Sequence, residues 1–371
     1  MKILFWTELY WPHIGGIEVR SHQLAVALQA RGHEVAVVTS YGNLALGDRE
    51  CHEGIEIRRY PFLEALSGKR LDLLSVARKD VHEFKRDFSP DLVHVFFTDP
   101  GVIFHWMTHS GSKARTIVTV PIALHGFRCD DGTLLRQTLR QADWVVAISQ
   151  AMRSDAVSLA PEVEGRCSVI YNSLDMAETL DCPESFDPPI LLCVGRVVRE
   201  KGFDLVIQAL PELLRELPET RLLIAGDGPA RPELQDQAVA LGVAGRVTFL
   251  GWVEPAEIPR LIGRATVIVV PSRRREAFGN VALQAMQMGR PVIAAATGGL
   301  PEVVQHETTG LLIPVDDSSA LARAALRLLQ DQRLAERLGS AGKRAAETRF
   351  AFDAYVEAHE SLYAKMKIYD V

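Results

Sequence analysis

The chain has 371 residues, 47% hydrophobic and 24% charged, with a formal net charge of −6. That length exceeds what a single core usually serves and favours two domains, and the acidic balance excludes a typical duplex-binding protein, so no nucleic-acid partner is expected. The five cysteines (Cys51, Cys129, Cys167, Cys182 and Cys193) are scattered without a C-x-x-C, which argues against a disulfide framework or a zinc site and for a reducing, cytoplasmic setting.

In chain order, MKILFWTELYWP has too short an apolar run for a secretory leader, and Glu8 and Pro12 interrupt the residues after it. No run of 18 apolar residues occurs anywhere, so no membrane span is expected. Ile3–Phe5, Val35–Thr39, Leu92–Phe96, Ile117–Val120 and Trp144–Ile148 read as strands buried on both faces. Between the first two, Leu24, Ala27 and Leu28 share a helical face and Gly32 sits where helices end. Strand, helix, strand is a βαβ unit, so the sheet should be parallel. His105 and His109 are spaced i, i+4; with no third ligand in view they read as helix-surface residues and not as a metal pair.

The segment DCPESFDPP, Asp181–Pro189, is rich in proline and acids and poor in apolar residues, as a linker is. A second strand set comes after it: Ile190–Val194, Leu222–Ala225, Val247–Leu250, Val267–Val270 and Val292–Ala295. Val206, Ala209, Leu210 and Leu213 keep helical spacing, as do Ala282, Ala285, Met286 and Gly289. Beyond Pro314 the chain reads as helical, with amphipathic stretches at Ala320–Leu329 and from Phe352 to Met366. Two similar α/β halves imply a ligand-binding cleft between them.

The segment with most chemical content is PSRRREAFGNVALQ, Pro271–Gln284. A strand ends at Val270, a polar loop comes next, and a helix starts near Asn280. Backbone N–H groups at a helix start suit a phosphate, and Gly279 permits close backbone approach. Glu276 lies where it would reach a sugar hydroxyl. Periodicity alone fits an ordinary polar loop and helix equally well.

Read on to Val292, this segment resembles the signature of the group 1, or family 4, retaining glycosyltransferases. The resemblance continues in order through Gly15–Thr39, ADWVVAISQAM, VIYNSLD, VGRVVREKGFDLVIQAL, LIAGDGP and GGLPEVVQHETTGLLIP, covering nearly the whole chain. Ordered motifs together carry weight that one alone would not. It implies a GT-B architecture: an N-terminal Rossmann-like domain over 1–180, joined by a returning C-terminal helix at 353–371, a linker at 181–189, and a donor domain over 190–352, facing each other across a cleft. It implies transfer of a hexose-type sugar, with retention, from a UDP- or GDP-sugar to a hydroxyl of a glycan, lipid-linked or small-molecule acceptor. No cofactor and no metal are implied, and the chain has no D-x-D.

The same resemblance implies the site residues. Arg196 and Lys201 would offset the charge growing on the leaving diphosphate, a role worth roughly 10²–10³ in rate per well-placed group; alone, each would read as a solvated charge. Glu276 would hold sugar hydroxyls, and Gln284 the ribose. Ala277, Phe278, Gly279, Asn280 and Val281, with Gly195, Gly226, Trp252 and Val253, would line the donor, and Gly15 and Gly16 would close on its phosphates. Two positions depart from the family pattern. Gln284 stands where the usual E-x(7)-E has its second Glu, which weakens ribose binding. Pro121 stands where the family's histidine comes directly after the strand, leaving His125, four residues on, as the candidate beside the donor sugar. Asp130, Asp131 and Arg274 are candidate acceptor contacts.

Lys69, Arg70, Arg78, Lys79, Lys85 and Arg86, with Leu, Val and Phe between, would suit an anionic membrane surface carrying a lipid-linked acceptor. The interleaved Asp72, Asp80, Glu83 and Asp87 point instead to a solvated helix face. Two other readings stay open at this level: a sugar-nucleotide 2-epimerase of the same fold, and a non-catalytic nucleotide-sugar-binding partner of an active transferase.

Overall fold

A computed structural model describes all residues except 14, 69, 98–99, 110–112, 125–131, 176–186 and 369–371. The chain forms two compact units, Met1–Asn172 with Phe352–Val371, and Ser173–Ala351. Most of the expected linker, at 181–186, lies outside the described residues.

The first unit is built on an eight-stranded sheet. Its strands are β1 (Lys2–Trp6), β2 (Glu34–Ser40), β3 (Arg49–His52), β4 (Ile55–Tyr60), β5 (Leu92–Phe96), β6 (Arg115–Val120), β7 (Trp144–Ala147) and β8 (Cys167–Val169), ordered β3-β4-β2-β1-β5-β6-β7-β8. All pairings are parallel except the β3–β4 hairpin at the edge. The five anticipated strands are all present. The hairpin is hard to see in the sequence because its apolar residues alternate with charge: Ile55 and Ile57 are fully buried, while Glu56 and Arg58 are half-buried. Leu24 and Leu28 of the helix Gly16–Ala30 pack with Ile3, Phe5, Val35 and Val37. The helix Phe352–Ile368 joins this same core through Tyr355, Val356 and Tyr363.

Two polar groups in this unit are buried against expectation. His105, in the short helix Val102–Met107, is fully buried and not on a helix surface. Its Nδ1 lies 3.1 Å from Lys85 Nζ and its Nε2 pairs with Thr116 Oγ1 at 3.0 Å. Lys85, anticipated on a solvated face, also donates to Thr108 Oγ1 at 3.2 Å, and burial lowers its pKa to about 7. The six-residue helix carries apolar residues all round, so its one polar side chain turns inward onto Lys85. The rest of the basic stretch is solvated: Arg70 pairs with Asp72, Lys79 with Glu83 and Arg86 with Asp87, and Arg78 is exposed; Lys69 lies outside the described residues.

The second unit has a six-stranded, wholly parallel sheet. Its strands β9 (Ile190–Val194), β10 (Arg221–Ala225), β11 (Val247–Gly251), β12 (Val267–Val270), β13 (Val292–Ala295) and β14 (Leu311–Ile313) run in the order β11-β10-β9-β12-β13-β14. This is the 3-2-1-4-5-6 order of a doubly wound Rossmann-like sheet. Val206, Ala209, Leu210 and Leu213 of the helix Phe203–Glu216 are buried on it, as the spacing predicts. Truncating Leu210 to Ala there would cost about 2–5 kcal/mol. In the helix Asn280–Gln287, Ala282, Ala285 and Met286 face the core, but Gly289 does not continue the stripe. It lies past the helix end with φ +67°, a left-handed turn that stops it. The helix Gln332–Arg349 lies in the tail expected to be helical, though not in its two amphipathic stretches, because its apolar positions are few and small, with only Ala335, Leu338, Gly339, Gly342 and Ala346 buried.

Candidate active site

In a parallel sheet every strand opens its carboxyl end on one rim, and the loops there carry the ligand groups. On the second unit's rim, β9 leads into Gly195 and Arg196, β10 into Gly226, β11 into Trp252 and Val253, and β12 into the loop from Pro271 to Gly279. Gly195 N donates to Ala225 O at 2.9 Å and Gly226 N to Gly251 O at 2.8 Å, so the first three strand ends are joined by backbone. Trp252 is 62% exposed beyond the edge strand.

The loops after β9 and β12 are joined more closely still. Lys201 ends a single 3-10 turn, Arg199–Lys201, and Gly202 comes next at φ +70°. A Cβ on Gly202 would lie 2.1 Å from Pro271 O, so only glycine lets the two loops touch. The amides of Arg273 and Arg274 donate to Glu200 O at 2.9 and 3.4 Å. Lys201 is thereby brought onto Glu276. The Glu276 Oε1 accepts from Lys201 Nζ at 2.5 Å and from Ser272 Oγ at 2.7 Å. Glu276's side chain is 18% exposed and Lys201's 30%, which leaves both reachable from solvent.

Two further contacts fix Glu276 and its neighbours. Gly299 N donates to Glu276 O at 2.8 Å, and a Cβ on Gly298 would stand 1.9 Å from that same carbonyl oxygen. Phe278 is buried edge-on against Phe350, with ring centroids 5.6 Å apart. Gly279 then caps the helix Asn280–Gln287, setting Asn280 and Val281 in its first turn. The first N–H groups of a helix have no partner within it and carry its positive end, a setting for an anion. Gln284 lies one turn further in, half-buried.

Two arginines of this loop, Arg273 and Arg274, separate by role. Arg273 is drawn inward: its Nη2 donates to Asp204 Oδ2 at 2.6 Å, its Nη1 pairs with Asp204 Oδ1, and its Nε pairs with Asp316. The hydrogen bonds to Asp204 raise its pKa above the usual arginine value. It braces the loop and is not presented to a ligand. Arg274 is exposed, as a contact for an acidic acceptor would need to be. Arg196 is exposed as well, and among the described residues it forms no ion pair.

Not every anticipated residue joins this rim. Gly15 and Gly16 belong to the first unit, where Gly15 caps the helix Gly16–Ala30 after β1. The anion nearest that helix start is the chain's own Glu18, whose Oε2 would lie 2.2 Å from a Cβ on Gly15. His125, Asp130 and Asp131 lie outside the described residues. Conversely, Ser272, Gly298 and Gly299 carry Glu276, a role that sequence reasoning does not assign them. All three stand inside the family-like motifs, which is the available signal.

The family model described as "Glycosyl transferases group 1" matches residues 183–345, and that described as "Glycosyltransferase Family 4" matches residues 14–178. An uncharacterized glycosyltransferase of Methanocaldococcus jannaschii is 28% identical, with 98% of each chain covered. A GDP-mannose-dependent alpha-(1-6)-phosphatidylinositol monomannoside mannosyltransferase of Mycolicibacterium smegmatis is 40% identical, over 42% of this chain and 43% of its own length. In fold, the Anabaena protein HepE, solved in complex with UDP and glucose, superposes with a TM-score of 0.80 at 23% identity, covering 98% of this chain and 100% of its own. With both units matched in order and the second sheet's rim inside the first of those matches, this chain belongs to the group 1 glycosyltransferases, as an enzyme of the GT-B fold.

Proposed function

We propose that this enzyme transfers a hexose-type sugar, with retention of anomeric configuration, from a UDP- or GDP-linked donor to a hydroxyl of a glycan, lipid-linked or small-molecule acceptor. The observation that carries this reading is the Glu276 carboxylate, held by Lys201 and Ser272 beside the start of the helix Asn280–Gln287. A carboxylate accepts from sugar hydroxyls, a helix start receives phosphate, and a lysine ammonium beside the carboxylate adds positive charge. The Mycolicibacterium relative is named for a GDP-mannose donor and the Anabaena protein was solved with UDP and glucose, which supports the donor class and leaves the base open.

In this reading the donor's anomeric C–O bond breaks, and the acceptor oxygen bonds to the anomeric carbon on the same face. The acceptor's proton passes to a phosphate oxygen of the departing nucleotide diphosphate. Charge grows on that diphosphate. Arg196 offers a guanidinium fork, Lys201 a point charge and residues 277–281 their backbone amides. These counter-charges serve in place of a metal, so the proposed enzyme needs none. Glu276 orients the sugar through its hydroxyls, Gln284 holds the ribose diol, and Gly195, Gly226, Trp252 and Val253 complete the donor's surroundings. His125 is proposed beside the donor sugar, Gly15 and Gly16 toward its phosphates, and Asp130, Asp131 and Arg274 toward the acceptor.

A peripheral place on the cytoplasmic face of a membrane is also proposed. It is supported by Leu71 and Val76, 77% and 56% exposed on the helix Leu71–Phe88. Among the described residues no helix is long and apolar enough to cross a membrane.

A thermal-shift and turnover screen over UDP- and GDP-sugars tests the function. One donor should raise the unfolding temperature and release nucleotide diphosphate when an acceptor is added, without added metal. Release only with a divalent metal, or an epimerised sugar recovered without acceptor, would overturn it.

A further inference from the structure

His22, His52 and Glu53 are not among the residues assigned to sugar transfer, although His22 shares its helix with Gly16. Their ligand atoms all lie within 4.8 Å of one another, and they form the one such cluster among the described residues. The three arrive from separate elements. His22 projects from the helix Gly16–Ala30, His52 ends β3, and Glu53 opens the two-residue turn Glu53-Gly54 that leads into β4. That turn is seated on the same helix, since a Cβ on Gly54 would meet Gln29 Nε2 at 2.7 Å. The positions are therefore set by packed elements and not by one flexible loop.

The surroundings suit a metal more than a bare histidine–glutamate contact. His22 Nε2 lies 3.1 Å from Glu53 Oε2, while its Nδ1 is bound to the fully buried Tyr10 hydroxyl at 3.0 Å. A partner on the far ring nitrogen is what aims a metal-ligating imidazole and fixes its tautomer. His52 is held flat against Trp11, with ring centroids 4.3 Å apart and planes 4° apart, and its centroid is 5.2 Å from that of His22. A tetrahedral ion with bonds of about 2.0–2.1 Å sets its ligands about 3.4 Å apart, so side-chain rotations of about an ångström complete the site.

We infer that His22, His52 and Glu53 form a binding site for a divalent transition metal of the zinc class. The ion pins the β3–β4 hairpin to the helix Gly16–Ala30 and orders the aromatic loop Tyr10–Trp11 against both. Two imidazoles and one carboxylate favour zinc over magnesium or calcium, which prefer all-oxygen shells.

Equilibrium dialysis of the full chain against ZnCl2 at neutral pH, after chelator treatment, tests this. The expected result is one saturable zinc per chain, a higher unfolding midpoint with zinc than without, and no such effect from MgCl2. His22→Ala and His52→Ala should each weaken binding at least about tenfold, and Tyr10→Phe by about 10- to 100-fold through loss of orientation. Substituted Co2+ should show visible bands of a low-coordinate nitrogen–oxygen site that change in His52→Ala. Absence of saturable zinc binding would overturn the assignment. So would binding unchanged in the His22→Ala/His52→Ala double variant, which would place the metal on other histidines. If a histidine variant does not fold, Glu53→Gln and Tyr10→Phe decide: weakened binding in both supports the site, and unchanged affinity in both overturns it.

Discussion

Lys201 and Glu276, 75 residues apart in the chain, meet in a direct ion pair, Nζ to Oε1 at 2.5 Å, on the carboxyl rim of the second sheet. The pair exists because Gly202 lets the β9 loop touch Pro271 and because Gly298 and Gly299 leave room beneath the Glu276 carbonyl.

If this pair serves the transition state, its members act as a unit. Lys201→Ala should lower kcat by roughly 10²–10³ while the circular dichroism spectrum stays unchanged. Glu276→Gln should cost a similar factor, and the double variant little more than either alone. Fully multiplicative losses would show that the two residues work independently.

Gln284 offers a gain-of-affinity test. An amide accepts through one oxygen, whereas a carboxylate makes charge-assisted bonds to both ribose hydroxyls, a difference of about 0.5–1.5 kcal/mol. Gln284→Glu should therefore tighten nucleotide diphosphate binding about three- to tenfold in a calorimetric titration. Equal or weaker binding would mean the amide suits this site better.

Arg273 should matter through the loop it braces. Arg273→Ala removes the contacts to Asp204 and Asp316 but nothing proposed to touch the donor. The unfolding midpoint should fall by roughly 2–4 °C, about 1 kcal/mol for a unit of this size, and the donor KM should rise more than kcat falls. Arg274→Ala should leave the midpoint unchanged, since that side chain is exposed.

Buried histidines set the acid side of the stability curve. Burial lowers the pKa of His94 and His105 well below 6.5 and that of His359 to about 4, so the folded chain holds them neutral where the unfolded chain protonates them. The unfolded state then binds more protons, and stability falls as pH drops from about 6.5 toward 4, with a limiting slope of about 1.4 kcal/mol per pH unit for each such histidine. Lys85 has the same sign at higher pH. Its folded pKa of about 7 lies below the ordinary 10.5, so stability should climb from pH 7 upward. Urea titrations across pH 4–9 would show both limbs, and Lys85→Met should flatten the upper one.

The strands at Val292–Ala295 and Leu92–Phe96 were legible because a fully buried parallel strand is an unbroken apolar run. The strands Arg49–His52 and Ile55–Tyr60 of the edge hairpin were not, because that hairpin interleaves charge with its two inward isoleucines. In the site, Glu276 was legible from its motif, and Ser272 was not. A hydrogen bond across four residues of irregular loop has no period to announce it.

The sequence by itself determined the α/β class, the doubling of the Rossmann-like pattern and the ordered motifs that resemble the group 1 glycosyltransferases, because periodicity and motif spacing are local properties of the chain. Tertiary structure alone decided that Arg273 turns inward while Arg274 stays exposed, by setting Asp204, 69 residues away, within reach of Arg273. It alone decided that Lys85 and His105 are buried together and that His22, His52 and Glu53 converge. Side-chain partnership and desolvation depend on what the folded chain brings near, and nothing in the spacing of like residues along a sequence records that.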